Sequence, residues 1–366
     1  MAERALKLRP WLAGLPTYTP GRKASGDDGS MASNEAPFAT SVHVHRALVD
    51  GAHAANRYPD PLASRLRDSL AALHGVDPDC ILITNGSDEA IFLLAAAYLA
   101  GSGTIVCADP AYSIDALSAR VVNANVVAVP LSAWSHDLEA MAGVQADIAY
   151  VVNPHNPTGT VCTREQIERF ASRAPVGLVV VDEAYIDFTD DPKRMTAIPL
   201  TRENPRLAVL RTFSKAYGLA ALRIGYLIAD PELIARLRTV RAPFSVNALA
   251  QAAAAAALED TAHHDALVAY IRDARAKLTV LLREAGFETV ASQANFVLIA
   301  LADERGFVDA LAACGISVRP GSTLGAPGTV RISVPSRAGM ELLDAALRHE
   351  AVQRTARADL RQLKYH

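Results

Sequence analysis

Of the 36 lysines and arginines in the chain only six are lysines, and one of them stands in an unusual setting. Lys215 follows Ser214 in Thr212-Phe213-Ser214-Lys215-Ala216-Tyr217-Gly218, and Arg223 comes eight residues later, with small residues between. A single amine can condense with an aldehyde, while a hydroxyl and a guanidinium beside it can hold a phosphate. An isolated Ser-Lys pair is ordinarily a solvated loop, so the weight falls on what accompanies it.

Asn85-Gly86-Ser87-Asp88-Glu89 follows an apolar run and opens a helical pattern. Backbone N–H groups at a helix start, with the positive end of the helix dipole, favour an anion. Gly86 allows close approach, and Ser87 is expected to cap the helix and to contact phosphate oxygens. Asp182 ends the apolar run Leu178-Val179-Val180-Val181 and is followed by Glu183-Ala184-Tyr185. A carboxylate at the carboxyl end of a buried parallel strand points into the ligand crevice of an open α/β sheet. Asn153-Pro154-His155-Asn156-Pro157-Thr158-Gly159 leaves another strand through two prolines, which make a stiff loop. Arg331 interrupts the otherwise apolar Val330–Val334, where its planar fork suits a carboxylate, a phosphate or a structural ion pair.

Taken in order, these segments resemble those of the fold-type I pyridoxal-phosphate enzymes, and among them the histidinol-phosphate aminotransferase family; the match runs from about residue 8 to 345. The resemblance implies pyridoxal 5'-phosphate bound to Lys215. Its phosphate would be held by Gly86, Ser87, Asp88, Ser214 and Arg223. Asp182 would pair with the ring nitrogen, Asn156 and Tyr185 would contact the phenolic oxygen, and Tyr112 would stack on the ring. Tyr58, in Arg57-Tyr58-Pro59-Asp60, would cross a homodimer interface to the neighbouring subunit's phosphate. Tyr18, Tyr58, Asn156, Arg319 and Arg331 would meet the substrate, with Lys215 as catalytic base. His155 occupies a variable position of the loop and is given no catalytic part.

The implied reaction moves an amino group from histidinol phosphate or an aromatic L-amino acid to 2-oxoglutarate. Asn85-Gly86-Ser87-Asp88-Glu89-Ala90-Ile91 resembles the form found in histidinol-phosphate aminotransferases. Leu8-Arg9-Pro10 and Ser292-Gln293-Ala294-Asn295-Phe296 look equally like the neighbouring aromatic amino acid aminotransferases. Pro335 and Leu342 stand where histidinol-phosphate enzymes commonly carry Gly and Arg. Two other readings stay open: a threonine-phosphate decarboxylase-like enzyme and a non-enzymatic regulator. The latter expects a DNA-binding helix-turn-helix, which the Gly- and Pro-rich first thirty residues do not supply.

Apolar runs that alternate with helical patterns must position these residues. Strands are expected at Cys80–Thr84, Thr104–Cys107, Val126–Val129, Ile148–Val152, Leu178–Val181, Leu207–Leu210 and Tyr226–Ala229. Helices are expected at Ser87–Ala100, Ser113–Val121 and Thr163–Arg173, the last opened by a Thr163/Gln166 capping box. Strands apolar on both faces and alternating with helices imply an α/β fold with a mostly parallel central sheet flanked by helices. Pro231 to about Gly286 reads as helical, broken near Pro243; Phe296–Ala300, Ile316–Val318 and Val330–Val334 then read as strands separated by two helices. The expected organisation is an N-terminal arm (1–40) belonging to a smaller α+β domain, a large cofactor-binding domain (41–244), and the rest of the small domain (245–366).

Bulk properties narrow the function classes. A net charge of −3 without a basic stretch gives no footing for nucleic acid or an anionic membrane. No apolar run reaches the roughly 18 residues of a membrane span. Met1-Ala2-Glu3-Arg4 opens no signal-peptide pattern. Four cysteines without a C-x-x-C pair argue for a reducing, cytoplasmic setting and against a zinc site or disulfide framework.

Overall fold

The computed structural model describes residues 6–15, 17, 21–355, 357 and 359–363. Tyr18 lies outside them. The strands are β1 (Ser30–Met31), β2 (Ile81–Thr84), β3 (Thr104–Asp109), β4 (Asn125–Pro130), β5 (Ala146–Val152), β6 (Val176–Asp182), β7 (Leu207–Thr212), β8 (Gly225–Ile228), β9 (Phe296–Ala300), β10 (Ser317–Pro320) and β11 (Thr329–Ser333).

Seven strands form the main sheet in the order β2-β8-β7-β6-β5-β3-β4. β4, β3, β5, β6 and β7 run parallel, and β8 is antiparallel to both its neighbours. β2 and β7 are buried along their whole length, as a sheet covered on both faces requires. The helix Arg164–Arg173 shows how the cover is made. Its Thr163/Gln166 capping box is present, and Ile167, Phe170 and Ala171 turn to the core at helical spacing. Burying Ile167 and Phe170 contributes on the order of 2 kcal/mol each. The helix Ser113–Val121 has the bounds read from the sequence.

The smaller sheet has the order β1-β10-β11-β9, with β1 parallel to β10 and the other pairs antiparallel. One α-helix, Glu304–Ala313, and one 3-10 turn, Gly321–Leu324, connect its last three strands. The expected second helix is therefore a single turn: only eight residues separate β10 from β11, and Gly325 and Gly328 take up positive φ within them. The described residues of the arm carry two 3-10 turns and lend Met31 to the core of the smaller sheet. Near one end Trp11 Nε1 donates to the Val121 carbonyl, and at the other β1 joins the smaller sheet. The helix Ala248–Glu259 buries Ala250, Ala253, Ala254 and Ala257 with the main-sheet core. The next helix, Thr261–Glu284, buries Leu267, Ile271, Leu278 and Leu282 with the smaller one.

Candidate active site

The register of β8 sets the first part of the site. Gly225 is paired with Thr84 on one side and Thr212 on the other, so the turn 85–87 and both ends of the loop 213–224 start from one point. A Cβ on Gly225 would come within 2.7 Å of the Ser87 nitrogen and 2.8 Å of the Arg211 carbonyl oxygen. Gly86, at φ +76, turns the chain into the helix Ser87–Tyr98, and a Cβ there would lie 2.7 Å from the Arg223 guanidinium. Ser87 is thus the first helical residue and not the cap: Gly86 is the N-cap, and no side chain caps the helix. Instead Glu89 reaches back to the Asn85 N–H at 2.5 Å. Arg223, itself at φ 52, donates to the Ser214 hydroxyl and to Asp88, both at 3.3 Å. The structure thus brings Gly86, Ser87, Asp88, Ser214 and Arg223 into one cradle of N–H, hydroxyl and guanidinium donors. Asp88 also accepts from the Tyr112 hydroxyl at 2.9 Å, so it orients Arg223 and Tyr112 together.

Asp182 ends β6 at 4% exposure, with one oxygen accepting from the Ala184 N–H at 2.9 Å. Burial pushes its carboxyl up to about 7, helped by Asp88 and Glu183 and opposed by the Ala184 bond and Lys215. The strand end that carries it is pinned by the next residue. Glu183, wholly buried, pairs with Arg211 of β7 at 2.9 Å and accepts from Thr196 and the Ala197 N–H. Burial and Asp88 raise the Tyr112 phenol well above its usual range.

Lys215 Nζ donates to the carbonyls of Asn34 at 3.1 Å and Ser33 at 3.3 Å, and stands 5.7 Å over the Tyr185 ring. The Tyr185 hydroxyl accepts from Asn34 Nδ2 at 3.0 Å. Arg331 donates to Asn156 Oδ1 and to the Ala32 carbonyl, each at 2.7 Å, and lies over Phe296. Arg319 is its direct cross-strand partner, so two buried guanidiniums share one face of the smaller sheet. Like charges set opposite each other favour an anion between them.

The loop that carries Asn156 is tied to the one that carries Tyr112. His155, fully buried, bonds the Thr158 hydroxyl at 2.9 Å and the Pro110 carbonyl at 3.1 Å. Burial, and then His136, hold its imidazole far below the usual range, so it is a neutral clasp. Tyr58 is 84% exposed and stacked on Phe244 at 4.7 Å; among the described residues no hydrogen bond ties it to the cradle. Leu342 packs against the smaller core, and the Pro335 carbonyl accepts from Tyr270.

Three residues near the site gave no sequence signal. Asn34 and Glu183 act through partners distant in the chain. Asp115 looks like an ordinary first-turn acid of the helix Ser113–Val121, yet it is fully buried and neither oxygen has a hydrogen-bond partner among the described residues. Burial, with Asp182 and Asp88, raises its carboxyl well above the usual range.

The donor set fits a phosphorylated aromatic aldehyde. The cradle offers a guanidinium, hydroxyls and helix-start N–H groups to a phosphate. Asp182 offers a buried carboxyl to a ring nitrogen, and Lys215 is an amine between the two.

Residues 29–349 match the family of class I and II aminotransferases. A histidinol-phosphate aminotransferase of Halalkalibacterium halodurans is 37% identical over 91% of this chain and 94% of its own. An aromatic amino acid aminotransferase of Thermobifida fusca is 38% identical over 89% and 92%. Among solved structures, the histidinol-phosphate aminotransferase of Sinorhizobium meliloti, in complex with pyridoxal-5'-phosphate, superposes with a TM-score of 0.86 at 27% identity, covering 96% of this chain and 99% of that one.

Proposed function

The chain belongs to the class I and II aminotransferase family, and on that footing we propose that it is a pyridoxal 5'-phosphate-dependent transaminase moving an amino group from histidinol phosphate or an aromatic L-amino acid to 2-oxoglutarate. The observation that carries this reading is the convergence of Lys215, Asp182 and the Ser214–Arg223–Gly86 cradle at one edge of the main sheet, where β2, β6 and β7 end and antiparallel β8 begins. When bound, the cofactor supplies an aldehyde that condenses with amines and a ring that takes up electrons from the substrate Cα.

The chain's own residues do the rest. The Ser87 N–H, Ser214 Oγ and Arg223 would hold the phosphate, with Gly86 making room and Asp88 aiming Arg223. Asp182, buried and held by the Ala184 N–H, would keep a proton on the ring nitrogen. Tyr112 would cover one ring face, and Tyr185 and Asn156 would meet the phenolic oxygen. Lys215 Nζ, held by two carbonyls, is the base for the Cα proton. Arg331 and Arg319 seat the substrate's anionic group, and Tyr18, outside the described residues, would close over it.

The homodimer of the sequence reading is part of this proposal. Its support is exposed apolar side chains: Tyr58 and Phe244, stacked on each other, and Val42, Val49 and Leu62. Tyr58 would meet the partner's cofactor phosphate and substrate. The domain division is proposed with one refinement, that the helix Ala248–Glu259 counts with the large sheet. A cytoplasmic setting is proposed on the four free cysteines; among the described residues no helix is long and apolar enough to cross a membrane.

Side-by-side kcat/KM for histidinol phosphate, phenylalanine and tyrosine with 2-oxoglutarate tests the donor. With Leu342 where a third arginine could stand, a monoanionic carboxylate is expected to be handled at least as well as a dianionic phosphate. A histidinol-phosphate advantage above about a thousandfold, roughly 4 kcal/mol, ends the aromatic reading. Carbon dioxide release from an amino-acid phosphate without an oxo-acid acceptor would point to a decarboxylase instead.

A further inference from the structure

One residue of the arm reaches both Lys215 and Tyr185. Asn34 is 1% exposed and stands at φ 56, a left-handed conformation that asparagine tolerates better than most residues. Its amide orientation is fixed by Ser333. The Ser333 hydroxyl accepts from the Asn34 N–H at 2.9 Å, so its own hydrogen goes to Asn34 Oδ1 at 2.7 Å. That leaves Nδ2 to donate to the Tyr185 hydroxyl at 3.0 Å. The Asn34 carbonyl accepts from Lys215 Nζ at 3.1 Å and from Asn295 Nδ2 at 3.0 Å. Arg331, two residues before Ser333 and on the same face of β11, grips the Ala32 carbonyl at 2.7 Å. The segment 32–34 is thus fastened to β11 at two points and delivers its polar atoms to the two groups nearest the reaction.

We propose that Asn34 is a positioning residue that sets the Tyr185 hydroxyl and the Lys215 amine together, from a seat fixed by Ser333 of the smaller sheet and by Asn295 just before β9. The proposal rests on the cofactor reading above. Because Asn34 Nδ2 fills an acceptor position of Tyr185, the Tyr185 hydrogen is directed away from Asn34 and toward the crevice, where the cofactor's phenolic oxygen would receive it. Because Asn34 and Ser33 offer Lys215 two carbonyls, the amine has a defined resting place when it is not engaged with the cofactor. The charged and titratable groups around Tyr185 and Lys215 are Asp182, Asp88, Tyr112 and Arg331.

The test uses Asn34→Gly, which keeps the positive φ and both carbonyls and deletes only the amide. A hydrogen bond to an anionic oxygen favours its charged form, so weakening it should move the visible-absorbance titration of the cofactor-loaded protein upward by roughly one pH unit. Tyr185→Phe should shift it in the same direction. The double variant should add nothing further, since both changes act through one hydrogen bond. The kcat should fall about tenfold or more, with donor KM held within about threefold, the pattern of an interaction made in the transition state. A titration within about 0.2 unit of wild type, or additive shifts in the double variant, overturns the proposal. Should Asn34→Gly fail to fold, Ser333→Ala decides, since it leaves Asn34 in place and removes the hydroxyl that anchors its amide and its N–H: an upward shift supports the proposal and an unchanged titration overturns it. Wild-type protein that takes up no pyridoxal phosphate would instead overturn the proposed function, and this proposal with it.

Discussion

Asp182 gives a prediction whose size follows from its burial. Its carboxyl sits at 4% exposure with one N–H donor, and burial lifts it from 3.8 to about 7. At about 1.4 kcal/mol per unit, this is worth about 4 kcal/mol between the folded and unfolded cofactor-free protein. The folded value is raised, so the contribution is fully present below the unfolded value near 3.8 and is lost as pH rises toward 7. Asn at 182 does not titrate. The stability of wild type relative to Asp182→Asn should therefore fall by about 4 kcal/mol between pH 4 and pH 8, with most of the loss complete by pH 7. Urea midpoints of the two cofactor-free proteins, taken across that range, read the difference directly. Loading with cofactor should flatten the wild-type curve, because a protonated ring nitrogen gives the carboxylate its partner. A difference that stays constant within about 1 kcal/mol from pH 4 to pH 8 would show that burial does not control this carboxyl.

Arg331→Lys keeps the charge but cannot grip Asn156 and the Ala32 carbonyl together, as Arg331 does at 2.7 Å each. It should lower kcat/KM for donor and 2-oxoglutarate alike by about tenfold or more, and a loss confined to one substrate would contradict a shared anion seat. Mixing inactive Lys215→Ala with inactive Tyr58 variants should restore part of the activity, because a hybrid dimer holds one site free of both changes. An active monomer at assay concentration would refute shared sites. Tyr58→Phe should weaken cofactor retention by about 1–3 kcal/mol, the loss of one hydrogen bond to a charged group, read by equilibrium dialysis.

What could be read from the sequence was whatever depends on neighbours in the chain. The capping box at Thr163 and the strand-end position of Asp182 needed only local pattern. The mostly parallel sheet followed from strands apolar on both faces. Ser87 is not the cap because Gly86, at positive φ, takes the cap position and leaves Ser87 as the first helical residue. Asn34 was invisible because its partner Ser333 is 299 residues away, and a Ser-Asn dipeptide in an arm looks like a turn. The Glu183–Arg211 pair was hidden for the same reason, since each residue taken alone resembles a strand-end charge. Asp115 was hidden because a first-turn carboxylate usually complements the helix dipole in solvent, and only the folded structure reveals that this one is buried.

The most direct test is to locate the reactive amine. Protein incubated with pyridoxal 5'-phosphate and reduced with borohydride should carry one pyridoxyl group per chain, and peptide mapping should place it on Lys215, the lysine beside Asn34 and Ser33 at 3.1–3.3 Å. Modification of any of the other five lysines, or none at all, would contradict the account.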